Sequence, residues 1–283
     1  MMGQTRLSRT IVHLSDLHFG RVDDAIPRSL ARAVAELAPD LVVVSGDLTQ
    51  RARVKEFRAA ADFLGALSAP LLVVPGNHDV PLYNLVRRWL SPLDRFRRYI
   101  TSDLTPFYED SEIAVLGVNT ARALTFKDGR INQGQIAAAM QRFAHCAEDV
   151  TRIVVTHHVF DTPIPVAGAA TKHKVVGRAT MAMAGLMRAG VDMILSGHLH
   201  SSGVGETTKR YPAPGRAILL IRAGTATSTR RRGEFNAFNV VRIVGLEVTV
   251  ACMAWRPDEG RFATASTERF NRTELGWARP AKS

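Results

Sequence analysis

The sequence predicts an α/β fold in which layers of sheet and helix alternate. Short apolar runs that end in small or polar residues recur along the first two thirds of the chain, and longer segments between them place apolar residues three and four apart. After Ser201 the texture changes to strand-like stretches, with no Pro/Gly/Ser-rich linker to mark a second domain.

The apolar runs are "TIVHLSD", "DLVVVSGD", "PLLVVPGN", "IAVLGVNT", "RIVVTHH" and "DMILSGH", each of strand length. Between them, "AIPRSLARAVAELA", "VKEFRAAADFLGAL", "NQGQIAAAMQRFAHCA" and "RATMAMAGLMRAG" have the period of helices that lay one face on a sheet. Downstream, "RAILLIRAGTAT" and "FNAFNVVRIVGLEVTVACMAW" read as strands with a hairpin around Gly245, which suggests a second, more antiparallel sheet. Two stretches interrupt the pattern: residues 81–110, partly helical, and residues 160–177, broken by Pro and Gly. Loops of such length in a compact domain are usually functional or mobile. One domain over residues 7–255 is expected, with 81–110 and 160–177 as insertion or lid loops. The weak periodicity of 256–283 reads as a loosely ordered C-terminal extension.

At 283 residues and 46% hydrophobic content the chain can bury a large core. It has no apolar stretch of signal-peptide length near Met1 and no run near the ~18 apolar residues of a membrane span, so a cytoplasmic location is expected. Cys146 and Cys252 lack CxxC spacing, which argues against a disulfide framework, a zinc ribbon and a redox pair. The formal charge of +11 would concentrate anions, so the candidate partners include a nucleic acid or an anionic membrane surface as well as a phosphate-bearing substrate. "RRWLSPLDRFRRY" (87–99) and "TRRRGEF" (229–235) hold the densest positive charge. A homodimer is a further expectation.

Five of the six apolar runs end in residues able to hold a metal: Asp16 with His18, Asp47, Asn77 with His78, His157 with His158, and His198 with His200. Open α/β sheets bind ligands at the carboxyl ends of their strands, so these residues should converge on one rim. In "SDLH" and "GHLH" the polar pair is two apart and would project to one side of an extended chain, with Leu17 and Leu199 facing the core. Gly46, Gly76 and Gly197 precede ligating residues, as close backbone approach would require. Imidazole, carboxylate and amide oxygen without thiolate suit Mn, Fe or Zn.

The blocks "SDLH", "SGDLT", "PGNHD", "THH" and "SGHLH", in that order, resemble the five signature blocks of the calcineurin-like metallophosphoesterases. The likeness is nearest to the subgroup of class III cyclic-nucleotide phosphodiesterases and glycerophosphodiesterases. It implies a four-layer α/β/β/α sandwich, two mixed sheets flanked by helices. Two divalent or trivalent ions are implied as cofactors: Asp16, His18 and His200 on one, Asn77, His157 and His198 on the other, and Asp47 bridging both. His78 would act as proton donor or transition-state stabiliser, with Asp79 orienting it. His158 would line the pocket or merely pack, His173 would sit in the lid loop, and Asn119 would bond near the rim.

The activity so implied is hydrolysis of a phosphodiester, a small one such as a cyclic nucleotide or glycerophosphodiester first, through in-line attack by a hydroxide bridging the ions. The competing readings are a nuclease, motivated by the charge, and a hydrolase of lipid-linked phosphodiesters or pyrophosphates, for which Trp89, Phe96, Tyr99, Phe107 and Tyr108 would form a cap. A non-catalytic scaffold is disfavoured by the complete ligand blocks.

Overall fold

A computed structural model describes residues 7–125, 127–162, 175–207, 210–211, 217–229 and 235–280. In chain order the strands are β1 (Arg9–Leu14), β2 (Leu41–Val44), β3 (Leu71–Val73), β4 (Phe107–Glu109), β5 (Ile113–Gly117), β6 (Thr151–Val155), β7 (Met193–Ser196), β8 (Gly203–Glu206), β9 (Leu219–Arg222), β10 (Ala237–Val244), β11 (Glu247–Arg256), β12 (Arg261–Thr273) and β13 (Gly276–Ala278). The helices are α1 (Ala25–Leu37), α2 (Val54–Gly65), α3 (Leu85–Leu90), α4 (Asp94–Tyr99), α5 (Gln133–Phe143) and α6 (Ala179–Arg188). All four helices expected from periodicity form.

Alternation within the strands builds the layers. Val12, Leu14, Val42 and Val44 face a core shared with Ile26, Leu30, Val34, Phe57 and Phe63 of α1 and α2. Their neighbours Ile11, Leu41 and Val43 face the other way, against Val115, Ile153, Val155, Met193 and Leu195. The far side of the second sheet buries Ala114, Leu116, Val154 and Ile194 under Ile136, Phe143, Met183 and Leu186 of α5 and α6. Three cores between four layers give the expected α/β/β/α sandwich of two mixed sheets.

The first sheet has the order β13-β12-β11-β10-β1-β2-β3 and the second β4-β5-β6-β7-β9-β8. β1, β2 and β3 are parallel, as are β5, β6, β7 and β9, so their carboxyl ends share an edge in each sheet. Of the strands after Ser201 only β8 and β9 join the second sheet, and the hairpin read into it does not. β10 pairs antiparallel with β1 and carries the hairpin into the first sheet, turning at Gly245 with φ of 58°.

The loose tail expected after Arg256 is also corrected. β12 is a 13-residue strand that pairs with β11 along its length, and β13 pairs back onto it. Polar residues mask it in the sequence because much of its side is solvent-facing, yet Phe262, Phe270 and Trp277 are buried. Trp277 Nε1 donates to the Asp192 carbonyl at 2.8 Å, and Arg272 pairs with the Asp192 carboxylate at 2.5 Å, tying this edge to the loop before β7. Phe270→Ala is expected to cost about 3–5 kcal/mol of stability, the range for truncating a buried aromatic. Guanidinium unfolding followed by circular dichroism measures it; a change within 1 kcal/mol, on the order of a surface substitution, would return the tail to a dispensable role.

Residues 81–110 are partly helical as expected, and Phe107–Glu109 adds β4 at the edge of the second sheet. Of the 160–177 segment, residues 163–174 lie outside the described residues, as do residues 230–234 of the basic "TRRRGEF" stretch. Among the described residues no helix is long and apolar enough to cross a membrane.

Candidate metal centre

Each ligand residue proposed from the sequence follows a parallel strand directly or within a few residues. Asp16 and His18 come after β1, Asp47 after β2, Asn77 and His78 after β3, His157 after β6, and His198 and His200 after β7. Because the two sheets stack with these ends on one side, residues far apart in sequence meet there.

His18 Nε2 lies 3.3 Å from His200 Nε2, and Asp16 Oδ1 lies 3.5 and 3.2 Å from those same atoms. Beside this cluster, His157 Nε2 lies 3.1 Å from Asn77 Oδ1 and 3.2 Å from His198 Nδ1. The Asp47 carboxylate stands between the two groups, with Oδ2 3.7 Å from His18 Nε2 and Oδ1 3.4 Å from His157 Nε2. Asp16, His18, Asp47 and His157 are fully buried or nearly so, whereas Asn77, His78 and His198 are partly open.

The donor set fits cations on its own chemistry. Asp16 Oδ1 is buried without a hydrogen-bond partner, and such an oxygen is costly unless something positive faces it. The tautomers agree: His157 Nδ1 donates to the Ser45 carbonyl at 2.8 Å, which leaves Nε2 to offer its lone pair inward. His18 Nδ1 makes the corresponding, longer contact of 3.4 Å to the Thr49 carbonyl. Imidazole nitrogens and carboxylate oxygens gathered at these separations form groups that could each hold a metal ion.

Electrostatics points the same way. Burial opposes ionisation of Asp16 and Asp47, but the surrounding histidines outweigh it and hold both carboxyls below the usual carboxylate range. Burial likewise disfavours a charged His157, yet the Asp47 and Asp16 carboxylates and the Ser45 carbonyl raise its pKa to about 9. Burial and the neighbouring His157 hold His198 neutral, its pKa pushed down to about 3. In the metal-free protein the His157 proton therefore occupies a cation's place below about pH 9. A metal ion binding at His157 must displace that proton, while the two carboxylates and His198 compete with none. Apparent metal affinity is expected to fall at least about tenfold per unit as pH drops from 8.5, as release of the His157 proton requires. Titration calorimetry with Mn²⁺ across that range reads the slope, and a pH-independent affinity would contradict the assignment.

The backbone reaches this convergence by a route that alternation does not foresee. Asp16, His18, Asp47, His198 and His200 have φ between 49° and 73°, in the left-handed region, and they are five of the eight non-glycine residues with positive φ among those described. Leu17 and Leu199 are buried as expected, but the same-side projection of "SDLH" and "GHLH" comes from left-handed turns, not from an extended chain. Close approach explains two glycines. A Cβ on Gly76 would lie 2.1 Å from Asp47 Oδ1, and one on Gly197 would lie 1.8 Å from Ser15 Oγ.

His78 sits at the opening, where its backbone N–H donates to Asp47 Oδ1 at 2.8 Å and its ring Nδ1 donates to the Gln50 carbonyl at 2.8 Å. The expectation that Asp79 orients this ring is corrected. The Asp79 carboxylate accepts from the backbone N–H groups of Leu48, Thr49 and Gly76 and from Thr49 Oγ1, so it clamps the loop bearing Asp47 to the turn bearing Asn77. Burial and nearby Asp47 push its pKa up to about 6. The ring is held instead by Gln50, which the sequence gives no reason to single out because a backbone carbonyl does the work.

His158 is buried, with a ring nitrogen within 4.8 Å of ligand atoms of His157 and His198. Its Nδ1 accepts from Thr120 Oγ1 at 2.8 Å and its Nε2 donates to the Lys127 carbonyl at 3.1 Å. Asn119 serves its own turn, its side-chain oxygen accepting from Ala121 N at 2.9 Å. His173 lies outside the described residues. Sequence reading missed Ser15, which donates to Asp16 Oδ2, and Thr225 and Thr227, whose hydroxyls donate to the carbonyls of Asp16 and Leu17 at 2.7 and 2.6 Å. The alternating "TAT" after β9 is their signal, since two threonines on one side can cap an adjacent irregular loop.

The calcineurin-like phosphoesterase family matches residues 9–202. Over 82 residues the chain is 40% identical to the glycerophosphodiester phosphodiesterase GpdQ of Enterobacter lignolyticus, covering 24% of this chain and 29% of that protein. Over 76 residues it is 40% identical to the UDP-2,3-diacylglucosamine pyrophosphatase LpxG of Chlamydia muridarum, covering 26% of this chain and 23% of that one. The matched stretches thus span less than a third of either relative. Among solved structures, PhoD superposes with a TM-score of 0.69 at 9% identity, over 99% of this chain and 73% of that one, which shows a shared fold.

Proposed function

Because the chain belongs to the calcineurin-like phosphoesterase family, we propose that it is a hydrolase of small phosphodiesters that works with two metal ions, one in each donor cluster. The single observation that carries the reading is the Asp47 carboxylate, which faces His18 with one oxygen and His157 with the other. Asp16, His18 and His200 would hold one ion and Asn77, His157 and His198 the second. Mn, Fe and Zn all suit this donor set.

Ions so held would lower the pKa of a water between them and polarise the phosphoryl oxygens. The chain's own residues supply the rest. Asn77, His78 and His198 line the open side, so a phosphate enters past an amide and two imidazoles. His78, fixed through Nδ1 by the Gln50 carbonyl, presents Nε2 as the atom that gives a proton to the departing alkoxide. Asp79 keeps the Asn77–His78 turn in register with Asp47 through the Thr49 and Gly76 amides. The donor set includes no side chain placed as a covalent nucleophile, and direct attack by water accounts for the chemistry.

Glycerophosphodiesters come first among substrates by similarity to GpdQ, with cyclic nucleotides beside them. A lipid-linked pyrophosphate is the second reading, favoured by the exposed apolar face of α3 near the centre and by similarity to LpxG. Purified protein with Mn²⁺ should hydrolyse bis(p-nitrophenyl) phosphate and a glycerophosphodiester faster than p-nitrophenyl phosphate. Preference for the monoester would remove the diesterase reading, and loss of activity to a chelator with recovery on adding metal would support the metal requirement.

A further inference from the structure

The segment that follows the Asn77–Asp79 turn turns its apolar side chains outward. Val86, Trp89 and Leu90 of α3 are 71, 67 and 80% exposed, and Leu82, Tyr83 and Leu85 are exposed beside them. Residues 85, 86, 89 and 90 share one side of the helix, while Arg88 points the other way and is buried. Its guanidinium donates to the carbonyls of Pro81, Ala123 and Thr125, which holds the inner side of α3 to the body, and Leu124, between two of those carbonyls, is exposed. The outward display is thus anchored, not a frayed end.

The charge of this segment is mostly positive. Residues 81–100 contain five arginines and one aspartate, Asp94, which pairs with Arg87 at 2.7 Å. Arg97 and Arg98 on α4 are exposed, and the Arg51 guanidinium lies 5.4 Å from the centre of the Tyr83 ring. Arg51 follows Gln50, whose carbonyl holds the His78 ring, so the apolar face borders the mouth of the metal centre. Exposed leucine, valine, tyrosine and tryptophan with Arg51 against Tyr83 and exposed Arg97 and Arg98 on the next helix complement a surface that is apolar below and anionic at its edge, which is the chemistry of an anionic lipid leaflet.

We propose that the outer face of α3, with Leu82, Tyr83 and Leu124, seats the protein on an anionic lipid surface with the metal centre facing the headgroups. This goes beyond the proposed hydrolase activity and stands whichever phosphoester is cleaved. Trp89 makes it measurable, because the other two tryptophans, Trp255 and Trp277, are only 7 and 4% exposed. Added phosphatidylglycerol vesicles should shift tryptophan emission to the blue and sediment the protein, while phosphatidylcholine vesicles do so weakly and salt weakens both effects. V86D/L90D should bind the anionic vesicles at least about tenfold more weakly, and W89F should lose the emission shift. Hydrolysis of bis(p-nitrophenyl) phosphate, unchanged in V86D/L90D, would show that variant folded; circular dichroism serves the same purpose if wild-type protein does not cleave this diester. The proposal is overturned by the absence of a shift with anionic vesicles, by equal binding of V86D/L90D, or by wild-type emission that is already blue before lipid is added. It is equally overturned if V86D/L90D instead converts a dimer to monomer in sedimentation velocity, which would make a second copy the occupant.

Discussion

Asp47→Asn is expected to yield a folded protein that retains neither its metal complement nor measurable phosphodiesterase activity. The carboxylate is buried and its two oxygens face different imidazoles, His18 at 3.7 Å and His157 at 3.4 Å. Asparagine has the same shape but no charge, and its NH₂ group would face one of those imidazoles where an anion stood. Loss of a residue that merely supports a ligand lowers metal affinity ~10–100-fold, and loss of a shared anionic ligand should exceed that. Metal content after dialysis, read by mass spectrometry beside circular dichroism, decides the matter. A variant that keeps both metal and rate would remove the bridging role.

His78→Ala should behave differently, keeping its metal but losing ~10²–10⁴-fold in kcat, the usual contribution of a positioned proton donor. The ring has one nitrogen committed to the Gln50 carbonyl and lies edge-on to His18 with ring centres 4.8 Å apart, at the open side of the centre. The deficit should depend on the leaving group. A p-nitrophenolate departs without a proton, so bis(p-nitrophenyl) phosphate should suffer little, whereas an alkyl diester such as a glycerophosphodiester should show the full loss. An equal deficit for both would assign His78 to substrate binding or charge stabilisation instead. Asp79→Asn, by contrast, should lower metal retention as well as rate, because its carboxylate joins the Asp47 loop to the Asn77 turn.

The layers and the identities of the site residues were legible because each depends on a local pattern. β1, β2, β3, β6 and β7 read as apolar runs, and the polar residues that end them could be picked out one strand at a time. What escaped was set by partners distant in sequence. Nothing within "VVRIVGLEVTVACMAW" states that β10 will pair with β1, and β12 hides a buried Phe262 and Phe270 among eleven other, mostly polar residues. The left-handed turns at Asp16, His18, Asp47, His198 and His200 were equally invisible, since none of these is the glycine that usually announces positive φ. Asp79 was given the wrong partner because adjacency to His78 in sequence places the two side chains on different sides of a tight turn, one toward the opening and one beneath it.

Those left-handed residues make the rim a weak seam in an otherwise well-packed sandwich. Each such conformation costs on the order of 1 kcal/mol or more, and cations clamping the side chains offset it only while bound. Amides that close the loops behind β1, β2 and β7, such as those of Asp16, His18 and His198, should therefore exchange with solvent deuterium well before the strand amides once a chelator has emptied the centre. The same protein loaded with manganese should protect them nearly as long as its core, so that loop breathing, not global melting, reports how full the centre is.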